Sequence, residues 1–67
     1  MKKVGIVCDN YKVNKFKEEL ILKGFTDFEV IPLPKDCSNI VVNVAVELIS
    51  EISKICQTVE LYFKRSN

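Results

Sequence analysis

The sequence predicts an α+β fold of the ferredoxin-like kind, a β-α-β-β-α-β two-layer sandwich with antiparallel sheet order 4-1-3-2. Three observations predict it. Residues 2–10 (KKVGIVCDN) form an apolar, β-branched run that stops at two cap-forming residues. Two amphipathic helical patterns separate the β-rich runs. The link between the second and third of those runs is a short cluster of turn residues, which suits a hairpin.

Each element has its own local reason. Val4, Ile6, Val7 and Cys8 make the first strand, and a strand this apolar belongs in the middle of a sheet. Asp9 or Asn10 then caps a helix reaching about Lys23, with Val13, Phe16 and Leu20 at spacings of three and four and Ile21 and Leu22 widening the stripe. Lys12, Lys15, Lys17, Glu18 and Glu19 take most of the other positions. Gly24 suits the left-handed residue after a helix, and Phe25 its hydrophobic companion. Residues 27–33 (DFEVIPL) read as an edge strand, because Pro32 lacks a ladder donor. Residues 34–39 (PKDCSN) are the turn, and residues 40–44 (IVVNV) a second central strand. From Ala45 a second helix sets Ala45, Leu48, Ile49, Ile52, Ile55 and Cys56 against Glu47, Ser50, Glu51, Ser53 and Lys54. In residues 58–64 (TVELYFK), Val59 and Phe63 can prolong the helical stripe. The segment also alternates as a strand, and β-propensity with the economy of the fold favours the strand.

In that arrangement both helices cover one face of the sheet. Alternation assigns Val4, Ile6, Cys8, Phe28, Val30, Ile40, Val42, Val44, Leu61 and Phe63 to it. The other face carries Gly5, Val7, Ile31, Leu33, Val41, Asn43, Glu60, Tyr62 and Lys64. Val7, Ile31, Val41 and Tyr62 on that side form an apolar patch rimmed by charge, where a solvated face would read polar. With Asn43 they are the candidate partner-binding residues, and pairing with a second copy is the simplest use of them.

At 67 residues, 1–67 is read as one domain. Such a chain buries only about 60% of its unfolded surface, so self-association or a partner is a natural supplement. No apolar run is long enough to cross a bilayer, and the opening run is cut by Asp9 before it can serve as a signal peptide, which implies a cytoplasmic protein. Cys8, Cys37 and Cys56 cannot all pair within one chain, and a disulfide framework is not expected. The net charge is +1, with six lysines against three acids in residues 1–24 and four bases against six acids in residues 25–67. That asymmetry is too mild for a nucleic-acid-binding surface.

The chemistry available is narrow. The chain has no histidine, which removes the commonest general base and metal ligand together with Ser-His and Cys-His nucleophile pairs. The cysteines lack CxxC spacing, so no metal is implied, and no glycine-rich phosphate loop or other cofactor motif exists. Cys8 sits where a strand hands over to a helix, a place where a thiol can be activated, but an apolar pattern there reads as core. RNA recognition on this fold needs aromatic rings on the open faces of the central strands, where Gly5, Val7, Val41 and Asn43 stand. The remaining candidate is an anion held by Asp9, Asn10, Tyr11, Lys12 and Lys15 at the first strand–helix junction, against which ordinary capping is the plainer account.

KKVGIVCDNYKVNKFKEEL, the GF that follows and the closing ICQTVELYF resemble small uncharacterised proteins encoded by bacteriophages and prophages, over most of the chain. The fold is similar to that of small regulatory domains of the ACT type, which carry a glycine in the first strand–helix turn, where this chain has Asp9-Asn10. The phage resemblance implies a host factor, such as a defence component, as partner. The reading that follows is a non-enzymatic, homodimeric interaction module docking a protein through its open sheet face. The alternative is a small anionic-ligand (nucleotide) binding or sequestering protein that uses Asp9 to Lys15.

Overall fold

The computed structural model describes residues 1–65. Its elements are β1 (Lys2–Asp9), α1 (Val13–Leu22), β2 (Phe28–Leu33), β3 (Cys37–Val44) and α2 (Ile49–Arg65). Single 3-10 turns, Asn10–Lys12 and Val46–Leu48, lead into the two helices. The three strands form an antiparallel sheet in the order β1-β3-β2, so the chain is α+β and β2–β3 is the expected hairpin.

Both helices lie on one face. Ile6 and Cys8 of β1 and Ile40, Val42 and Val44 of β3 are buried against Phe16 and Leu20 of α1 and Ile52, Ile55 and Val59 of α2. These are the even-numbered sheet positions, as the alternation requires. Val4, Phe28 and Val30 pack on the margin of the same core. Each fully buried aliphatic side chain contributes on the order of 2 kcal/mol, which makes this single layer the main source of stability.

The exit from α1 follows from sequence. Gly24 takes φ +87°, the Phe25 N–H donates to the Leu20 carbonyl at 2.8 Å, and the Gly24 N–H donates to the Ile21 carbonyl at 3.0 Å. This paired arrangement closes the last turn while Phe25 folds back toward the core. The entry does not follow the expectation. Neither Asp9 nor Asn10 caps the helix with its side chain, because the Asn10 carboxamide oxygen accepts the buried Ser38 hydroxyl at 2.5 Å. β3 also begins three residues earlier than expected, at Cys37, which shortens the hairpin loop to residues 34–36.

The larger correction concerns residues 58–64, which continue α2 as helix and do not form a fourth strand. Val59 falls one turn beyond Ile55 and is fully buried, while Leu61, which a strand would send to the core, is exposed. The Thr58 hydroxyl donates to the Lys54 carbonyl one turn back. Contacts distant in sequence then hold the extension. Glu60 meets Lys12, and the Phe63 ring stands edge-on to Tyr11 with centroids 5.2 Å apart. Packing outweighs the local β-propensity of these residues. The sheet therefore lacks the order 4-1-3-2, and β1 lies at an edge, not in the middle.

The ladder also fixes where each backbone group points. The Asn10 N–H donates to the Asp36 carbonyl at 2.7 Å, one step beyond the Asp9–Cys37 pair. In an antiparallel ladder such bonded pairs recur at every second residue, so even-numbered β1 residues bond β3 and odd-numbered ones point outward. The Asn43 N–H donates to the Asp27 carbonyl at 2.9 Å and extends the β2–β3 register in the same way. On β2, Phe28, Val30 and Pro32 are thus the outward positions. The proline ring stands where a donor would have faced solvent.

Candidate functional site

The uncovered face of the sheet is built from odd-numbered residues in four rows. Across β1, β3 and β2 they read Lys3–Asn43–Asp27, Gly5–Val41–Glu29, Val7–Asn39–Ile31 and Asp9–Cys37–Leu33. Val7 is 66% exposed, Ile31 41% and Leu33 37%, and Val41 is half-buried beside them. Lys3, Asp27, Glu29 and Asp9 stand around these apolar side chains. Four of the five expected partner-binding residues, Val7, Ile31, Val41 and Asn43, therefore share this face.

Tyr62 does not. As part of α2 it lies in the helical layer, where the Lys15 ammonium sits 4.3 Å from its ring centroid and Phe63 stands edge-on at 5.1 Å. Its assignment to the open face depended on a fourth strand.

Two residues on the face escaped the sequence reading. Asn39 lies over Gly5, and a Cβ at Gly5 would come within 2.9 Å of the Asn39 Oδ1, so the glycine makes room for that carboxamide. The Oδ1 is buried without a hydrogen-bond partner. Leaving such an acceptor unmet typically costs about 1–3 kcal/mol. Cys37 is the second, its thiol directed to the Asp9 Oδ1 at 3.7 Å and the Lys35 carbonyl at 3.5 Å. The Pro-turn cluster signalled a loop at Cys37, which hid its place in the ladder.

The alternative anion site is assembled differently from its expectation. Asn10, Tyr11 and Lys12 form the 3-10 turn, and Asn10 is occupied by Ser38. Lys12 meets both Glu60 carboxylate oxygens at 3.1 Å, and this hydrogen bond raises its pKa above the ordinary lysine value. Lys15 lies 3.4 Å from Glu18 and 3.6 Å from Glu19. Both cations are thus engaged by carboxylates, while Asp9 adds a negative charge to the junction.

None of the three free thiols is activated. Desolvation pushes Cys8 up, with Lys12 opposing it, and pushes Cys56 up as well. Cys37 is raised by desolvation and by its hydrogen bond to Asp9. Among the described residues no group of His, Cys, Asp or Glu could hold a metal ion, and no helix is long and apolar enough to cross a membrane. An open cavity of about 390 Å³ lies at the far end of the sheet, between Met1, Lys23, Phe25, Asp27, Asn43 and Leu48. It holds no buried charged group. No protein-family model, curated protein or solved structure matches the chain.

Proposed function

We propose that the chain is a small non-enzymatic interaction module that acts as a homodimer and docks a protein partner through the open face of its sheet. The observation that carries this reading is the exposed apolar set Val7, Ile31 and Leu33 around Val41, inside a ring of charge. That is the composition of a docking surface, an apolar centre with a polar rim. The resemblance to phage and prophage proteins points to a host factor, such as a defence component, as the partner. Nucleotide or other anion binding at Asp9 to Lys15 is less well supported, since Lys12 and Lys15 already face Glu60, Glu18 and Glu19.

The test is capture from host lysate with wild type and two variants, followed by mass-spectrometric identification. Ile31→Glu places a charge within the apolar set of the face and should abolish capture while leaving the circular dichroism spectrum unchanged. Lys12→Glu combined with Lys15→Glu should leave capture intact. The reverse pattern, with nucleotide-induced thermal stabilisation lost in the lysine variant, would favour the anion site.

A further inference from the structure

β1 leaves the sheet with one open edge, and the parity of the ladder sets what that edge offers. Lys3, Gly5, Val7 and Asp9 aim their backbone N–H and C=O groups away from β3, and no strand among the described residues meets them. The opposite edge differs, because Pro32 occupies one of its outward positions. β1 has no proline, and its charges are confined to its ends, Lys2 and Lys3 at the start and Asp9 at the finish. An unblunted edge of eight residues is a template for another strand.

The edge is also complementary to itself. Set antiparallel to a second copy about Ile6, Lys3 meets Asp9 of the partner subunit, and Gly5 meets Val7 of the partner subunit. Opposed positions then have the same parity, so both helical layers stay on one side of the joined sheet. The residues forming bonded pairs are the four whose backbone groups point outward. A slip of one residue sets odd positions against even ones, whose backbone groups already bond β3, and a slip of two removes both Lys3–Asp9 pairings. Within the chain neither Lys3 nor Asp9 forms an ion pair among the described residues.

We propose that two copies join through β1, antiparallel about Ile6, into one continuous sheet of twice the width. This rests on the homodimeric part of the reading above and uses the sheet's edge, not its open face. Sedimentation equilibrium should give twice the 7.7 kDa chain mass. Lys3→Glu turns two attractive cross-strand pairs into repulsive ones and should weaken the dimer about tenfold. Adding Asp9→Lys should restore it. In amide exchange, Lys3, Gly5, Val7 and Asp9 should be protected in the dimer and become fast on dilution to monomer, while even-numbered β1 amides stay protected. A chain that is monomeric throughout, a dimer indifferent to Lys3→Glu, or a double variant that fails to recover overturns the proposal. Ile31→Glu should leave the dimer intact, so a lost partner and a lost dimer are read separately.

Discussion

Lys35 and Asp36 both hold positive φ, 63° and 58°, in the three-residue loop between β2 and β3. A left-handed conformation costs a side-chain-bearing residue about 1–2 kcal/mol, and glycine avoids most of that cost at the expense of unfolded-state entropy. Lys35→Gly should therefore raise the unfolding free energy by about 0.5–1 kcal/mol in a urea titration. The thiols make a second prediction at this scale. Cys8, Cys37 and Cys56 are all raised above their ordinary 9.0 in the folded chain. Their contribution is fully present below pH 9.0 and is lost as pH rises through the folded-state values, because the unfolded thiols ionise first. The urea midpoint should fall as pH rises above 9.0, and Cys8→Val should make that decline shallower. What was legible residue by residue was local. Gly24 and Phe25 signal their roles within one turn of chain, whereas Asn10 looks like a cap only until Ser38, from β3, claims its oxygen.

At the scale of elements, α2 is where local and tertiary signals part. TVELYFK alternates, but Val59 also lies on the stripe of Ile52 and Ile55 and is fully buried there, while Lys12 and Tyr11, far away in sequence, meet Glu60 and Phe63 of the extension. Two substitutions separate helix from strand. Val59→Ala empties a fully buried site and should cost about 2 kcal/mol, whereas Leu61→Ala, at a position 57% exposed, should cost less than about 0.5 kcal/mol. A strand would place both side chains in the core and make both changes expensive. The hairpin needed no distant information, since Pro32 and the turn cluster lie beside each other. β1 could be recognised as a strand from its own residues, but its place in the sheet depended on whether a fourth strand existed.

For the whole molecule, the face without helices follows from alternation along each strand, so the period of two by itself groups Val7, Ile31, Val41 and Asn43. It does not reveal the role of Asn39, whose side chain is held by the space Gly5 leaves on the neighbouring strand. The two margins of the sheet are unequal, and this bears on how far assembly can proceed. A sheet open on both sides can add copies without limit, as fibres do, whereas one with a single receptive border closes after one union. Pro32 interrupts the second border. Pro32→Val restores the missing donor there and should convert a species of fixed mass into concentration-dependent polymers, visible as rising turbidity. On the proposed pairing through β1, the ring of that one residue is what halts growth at the far border after a single union.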